Sequence, residues 1–173
     1  MDDVIIIGGS FAGLAAALQL GRARRKVTVL DTHLPRNRFV DYSHGLLGHD
    51  HKPPLEILAE ARQQLARYST IKLVNVRADR IFGTIDDFNV ITSDGESFGA
   101  RRLILSYGLH ESLGLATVDT PLGIVLKVDE RHETSAPGIY AAGDFANPLM
   151  PSVTAESSHG AMAGIFAQQS MLV

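Results

Sequence analysis

Asp3-Val4-Ile5-Ile6-Ile7-Gly8-Gly9-Ser10-Phe11-Ala12-Gly13-Leu14 is the stretch whose reading decides the fold. Four apolar β-formers, Val4 to Ile7, run into a glycine turn, and the turn runs into an alanine-rich pattern of helical period. Strand, glycine turn and helix in that order form the context in which a glycine motif reads as dinucleotide binding. Gly8 suits the tight turn and Gly13 lets the helix pack closely on its strand. Ser10 stands where the usual G-x-G-x-x-G carries its middle glycine, which restricts how closely a pyrophosphate approaches the backbone. An ordinary strand-to-helix connection produces a similar string. What favours the dinucleotide is Asp31, at the end of the next apolar run, Val27-Thr28-Val29-Leu30. It lies at the distance where such domains set an acid on a ribose hydroxyl.

The 173 residues suffice for one domain with a substantial core and are few for two. With 16 basic and 19 acidic residues, no global charge argues for nucleic acid or a membrane surface. The chain has no cysteine, which excludes disulfides, thiolate metal sites and a dithiol redox centre within it. The first strand begins almost at once, leaving no room for a signal peptide, and no apolar run approaches spanning length. A cytoplasmic protein is expected.

The first helix is predicted from near Phe11 to about Gly21, with Ala12, Leu14, Ala15, Ala16 and Leu18 against the sheet. The cations Arg22, Arg24, Arg25 and Lys26 read as a solvated complement to the helix dipole. From Asp31 to Pro54 no period is visible. So long a loop in a compact domain is usually functional or disordered, and Arg36, Asn37, His44, His49, Asp50 and His51 favour function. His49-Asp50-His51 also admits a metal reading, but it lacks a third ligand at a recognisable spacing, and no metal is expected. Pro53 and Pro54 suit a helix start, with Leu55, Leu58, Ala61 and Leu65 as its buried stripe and Arg62 at the stripe's edge. Runs 71–76, 78–84 and 88–92 read as a small antiparallel meander, and Leu103 to Ser106 as a buried strand. Tyr107 to Pro121 reads as a connection, Ile124 to Val128 as a strand, and Gly138 to Ala142 as a short apolar run ending in Gly143-Asp144. A last helix from about Ser152, its amino cap, carries Met162, Ile165, Phe166 and Gln169 at helical spacing.

The set as a whole resembles the FAD-binding domain of the thioredoxin reductase-like flavoproteins, in the pyridine nucleotide-disulfide oxidoreductase superfamily. The resemblance rests on Gly8-Gly9-Ser10-Phe11-Ala12-Gly13, Asp31, Pro35-Arg36-Asn37-Arg38, and Thr134-Ser135-Ala136-Pro137-Gly138-Ile139-Tyr140-Ala141-Ala142-Gly143-Asp144. It implies an α/β, Rossmann-like fold with a central parallel sheet and a small antiparallel β-meander, and FAD as cofactor. By position, the pyrophosphate would meet the turn from Gly8 to Gly13, and Asp31 would accept from the adenosine ribose while disfavouring a 2′-phosphate. Val76, Arg77 and Ala78 would flank the adenine, and Gly143 and Asp144 the ribityl and phosphate region. Ser152 and Val153, opening the last helix, would aim donors at the flavin, the loop with Asn37, His44 and Gly45 would lie near the ring, and Arg36 would also contact the cofactor. His44 is a candidate proton donor, with a solvated loop histidine as the competing reading.

Relatives carry a complete NAD(P)H-binding domain between the strand ending at Ser106 and the return near Leu115. Here a short connection joins segments 1–108 and 114–173, and Ser106-Tyr107-Gly108 replaces an Ala-Thr-Gly turn. The redox dithiol is absent as well. The expectation is a minimal single-domain FAD-binding flavoprotein, a homodimer, exchanging electrons with an external donor and with oxygen or another acceptor. Full disulfide reductase activity is not expected. The competing readings are a non-enzymatic flavin-binding module or partner-dependent subunit, and a single-domain NAD-binding protein.

Overall fold

The computed structural model describes residues 1–109, 111–146 and 152–172, with the side chains of Arg36 and Glu111 outside that description. Strand β1 (Asp2–Ile7) lies between β2 (Val27–Asp31) and β6 (Ser97–Leu105), parallel to both. β3 (Ile71–Asn75) continues the parallel sheet beyond β2, and β9 (Ile139–Ala141) pairs with β6. Side chains alternate across a strand, and β1 uses both of its faces. Val4 and Ile6 enter a core shared with three helices, whereas Ile5 and Ile7 enter one shared with Phe88, Val90 and Leu126. An unbroken apolar run is what a strand covered on both sides requires.

The helices are α1 (Phe11–Arg22), α2 (Pro54–Leu65) and α3 (Val153–Gln169). Ser152 caps α3, accepting a hydrogen bond from the Ala155 amide at 3.1 Å. Of the apolar residues at helical spacing in α3, Phe166 packs against the core, but small residues make up the buried face. Met162 and Ile165 are partly exposed, and Gly160, Ala163, Gly164 and Ala167 are buried instead. Small residues win because α3 lies directly on α1: a Cβ built on Gly160 would stand 2.0 Å from the Ala12 carbonyl oxygen. In α2, Leu55 faces solvent and Ile57 joins Leu58 and Leu65 in the core.

Two strand assignments also change. Residues 71–76 do not belong to the meander, since β3 pairs with β2 in parallel register. The meander is β4 (Ala78–Thr84), β5 (Asp87–Thr92) and the first half of β6. β6 is long enough to pair with β5 through residues 97–100 and with β1 through residues 100–105, which makes one sheet of both parts. Within the predicted connection, β7 (Thr117–Thr120) forms a hairpin with β8 (Gly123–Leu126). The β-branched alternation Thr117-Val118 and the turn at Pro121 to Gly123 were the signals for it. The loop after β2 opens in a 3-10 turn, Arg36–Phe39, and reaches α3, where Thr154 Oγ1 donates to the Gly45 carbonyl at 3.0 Å. Among the described residues no helix is long and apolar enough to cross a membrane.

α3 is also joined to the chain before β9 through His132. Its ring centroid is 5.3 Å from that of His159, and its Nδ1 is 3.3 Å from the Ala141 carbonyl oxygen. Burial, then the neighbouring His159, lowers the pKa of His132, opposed by the Ala141 carbonyl and Asp129.

Two outcomes follow from this packing. Gly160→Ala should lower stability by about 1–3 kcal/mol by forcing α1 and α3 apart. Gly164→Ala, whose Cβ would stand 2.8 Å from the Ala16 carbonyl oxygen, should cost less. Thermal melts of the two variants rank them. For His132 the folded state takes up its proton at lower pH than the unfolded chain. Its contribution to stability is therefore constant above the ordinary histidine range and declines as pH falls through about 6.5. Denaturant midpoints measured from pH 7.5 to 5 should show this decline, and His132→Asn should flatten it.

Candidate functional site

The carboxyl ends of β1, β2 and β6 open onto a cavity of about 900 Å³. β1 is the point at which chain order reverses, with β2 on one side and β6 on the other, and open α/β sheets bind ligands at such a crevice. The cavity floor is the turn after β1. Gly8 has φ +100°, a backbone conformation that a side chain disfavours, and a Cβ on Gly13 would stand 1.9 Å from the Gly8 carbonyl oxygen. These two positions let α1 start directly against the turn. Ser10 precedes α1 in an extended conformation and makes no side-chain capping bond, so the helix's first amide donors remain available to an anion. Ser106, at the end of β6, holds the turn from the other side. Its Oγ lies 2.9 Å from the Ile7 carbonyl oxygen and 2.8 Å from that of Gly8, donating to one at a time.

Asp31 lines the cavity at the end of β2, with its side chain 17% exposed. Arg62 of α2 donates through Nη2 to Asp31 Oδ2 at 3.2 Å and to the Gly9 carbonyl at 3.2 Å. His33 Nε2 is 3.8 Å from the same Oδ2. Farther along the wall, Arg77 donates to Asp79 at 2.7 Å, and that contact raises the arginine's proton affinity further. The lining also includes Tyr107, Gly108, Leu109, Phe145 and Glu156.

Most of the residues singled out from sequence line this one cavity: Gly8, Gly9, Ser10, Ala12, Asp31, Asn37, Val76, Arg77, Ala78, Ser106, Tyr107, Gly108, Gly143 and Asp144. Phe11 and Gly13 lie beneath it in the packing of α1. Val153 packs against the helical core, and Ser152 serves α3 as its cap. From α3 it is Glu156 that lines the cavity. His44 stands away from the lining, 69% exposed, with Nδ1 4.0 Å from Asp50 and its ring beside His51. The side chain of Arg36 lies outside the described residues. His51 stacks on Tyr42 and His49 faces Glu60, and no group of three or more potential metal ligands occurs among the described residues.

Sequence reasoning missed Arg62 as a site residue, although a signal was present. It follows Leu58 by four residues and precedes Leu65 by three, so a cation sits on the core-facing side of α2.

This donor set fits a long dinucleotide. A glycine turn and an uncapped helix start suit a diphosphate, a carboxylate suits a ribose diol, and the cavity continues past both.

Comparison with known proteins agrees. The pyridine nucleotide-disulphide oxidoreductase family matches residues 56–163, and an FAD binding domain family matches residues 3–83. Thioredoxin reductase tcpT of Claviceps purpurea is 37% identical over 114 residues, covering 63% of this chain and 35% of the relative. Thioredoxin reductase aclD of Aspergillus oryzae is 34% identical over 157 residues, covering 84% of this chain and 49% of the relative. The chain thus spans between a third and a half of the length of these two relatives. The crystal structure of an oxidoreductase from Agrobacterium tumefaciens superposes with a TM-score of 0.94 at 28% identity, covering 99% of this chain and 98% of that one. FAD is accordingly the cofactor of this domain. The chain belongs to the pyridine nucleotide-disulphide oxidoreductase family, as an FAD-binding domain of the thioredoxin reductase-like kind.

Proposed function

We propose that this chain is a minimal flavoprotein: a single FAD-binding domain, residues 1–173, in which a short connection joins segments 1–108 and 114–173. The observation that carries the reading is one cavity lined together by Asp79, Asp31, the glycine turn after β1, Tyr107 and Phe145. Its volume of about 900 Å³ and the glycine turn, carboxylate and aromatic residues that line it suit a dinucleotide carrying a second ring system.

In this reading Asp31 accepts hydrogen bonds from the adenosine ribose, and Val76 to Ala78 flank the adenine. The amide donors opening α1, reinforced by the helix dipole, hold the diphosphate. Gly143, Asp144 and Ser106 border the middle of the ligand. Tyr107, Leu109 and Phe145 border the redox-active end, which the short connection leaves open to solvent on the side of the exposed Tyr107. Bound FAD supplies reversible one- and two-electron transfer at that end. The chain has no cysteine to relay electrons onward to a disulfide, so donor and acceptor meet the flavin from outside. A reductant in solution or on another protein would serve as donor, and oxygen or another acceptor would remove the electrons. Homodimerisation is part of this proposal.

A second reading is a module whose partner supplies the reductant. It is favoured by the fraction of its relatives that the chain spans, 35% and 49% for the two fungal reductases. A plain NAD-binding domain accounts less well for Gly143 and Asp144 in the same cavity lining as Asp31.

The visible spectrum of the purified protein tests the cofactor assignment. Flavin bands, present at once or after incubation with FAD, are expected, and a preparation that stays colourless overturns it. Stopped-flow mixing with NADH or NADPH should give no fast saturable bleaching, which sets the external-donor reading against a retained nicotinamide site. Asp31→Ala should weaken FAD binding by about 1.5–3 kcal/mol for each charge-assisted hydrogen bond removed. Unchanged affinity in a titration would mean that the ribose is held elsewhere.

A further inference from the structure

Arg62 joins three parts of the site that are distant in sequence. Its Nη2 donates to the Gly9 carbonyl in the turn after β1 and to Asp31 Oδ2 at the end of β2, both at 3.2 Å, from a side chain 25% exposed. Gly9 and Asp31 are themselves in close contact, since a Cβ on Gly9 would stand 2.8 Å from Asp31 Oδ2. The fully buried Leu58 and the buried Leu65 anchor the stretch of α2 that carries Arg62, so the guanidinium starts from a fixed base. His33 approaches the same oxygen, its Nε2 3.8 Å away. Arg62 and His33 therefore both address Oδ2, and Oδ1 carries no hydrogen bond among the described residues.

We infer that Arg62 is a positioning residue for recognition of the adenosine ribose. Two physical effects support this role, which rests on the assignment of Asp31 to the ribose. The first is orientation. A carboxylate on a single Cβ turns readily about its last torsion, and a donor fixed on one oxygen holds the other ready to accept. The second is charge. The Asp31 carboxylate and a diphosphate at Gly8 to Ser10 repel one another, and a guanidinium bonded to both the turn and the acid offsets that repulsion where solvent screens it only partly. Arginine suits the position because the two hydrogens of its Nη2 reach the carbonyl and the carboxylate together at the end of a side chain longer and more rigid at its tip than that of lysine.

The test uses the protein freed of flavin, with ADP and 2′-deoxy-ADP as competitors against FAD and the ratio of their dissociation constants as the readout. The wild-type chain should prefer ADP by about tenfold, the value of one charge-assisted hydrogen bond. In Arg62→Met the ratio should fall to about twofold or less, and FAD itself should bind roughly tenfold more weakly. Arg62→Lys should restore part of the ratio. If Arg62→Met melts at lower temperature but keeps the wild-type ratio, Arg62 is only a tie between α2 and the sheet, and the inference fails. A ratio near one in the wild-type chain overturns the ribose assignment of Asp31 and this inference with it. Should Arg62→Met not fold, Arg62→Gln reads the same ratio with the same two outcomes.

Discussion

The site depends on how closely the first turn of α1 is seated. On one side a Cβ at Gly13 would stand 1.9 Å from the Gly8 carbonyl oxygen, and on the other a Cβ at Gly160 would stand 2.0 Å from that of Ala12. Backbone thus lies on backbone at both contacts, with no side chain between. This seating brings the amino end of α1 to the carboxyl ends of β1, β2 and β6. It also explains why α3, a helix with larger apolar residues available, turns a face of glycine and alanine to its neighbour. Bulkier residues there would move α1 away from the turn that it must meet.

The charges of the site follow from that geometry. Pointing α1 at the cavity puts uncapped amides and a positive helix end there, which invites an anion. The acid at the end of β2 would be a poor neighbour for such an anion by itself. Arg62 is bonded to both the turn and the acid and sets a positive charge beside them. The family relationship makes FAD the ligand, while the absence of cysteine removes from this chain the internal route by which electrons would reach a disulfide.

Local patterns were readable where they are dictated by local physics. A strand buried on both faces must be apolar throughout, as Val4 to Ile7 are, and a turn that meets a helix without clearance needs glycine. An acid that ends a strand beside that turn stands out for the same reason. Partners were less readable. Residues 71–75 have the composition of any strand, and only the register between Val29 and Leu73 puts them in the parallel sheet and outside the meander. Likewise β6 looked short because its outer half, Ser97 to Arg102, is polar enough to resemble a loop until β5 is placed against it.

The amino-acid sequence by itself determined the strand, glycine turn and helix at the start of the chain, the acid at Asp31 and the lack of a dithiol, because each is a property of a short segment or of composition, and the resemblance to the family extended these to a Rossmann-like fold. Tertiary structure alone decided which face of α3 is buried, that Glu156 lines the cavity in place of Ser152 and Val153, and that His44 stands apart from it. It also decided that Arg62 bonds to both Gly9 and Asp31. Those facts depend on distances between segments 22 to more than 100 residues apart in the chain, and no periodicity within a segment encodes them.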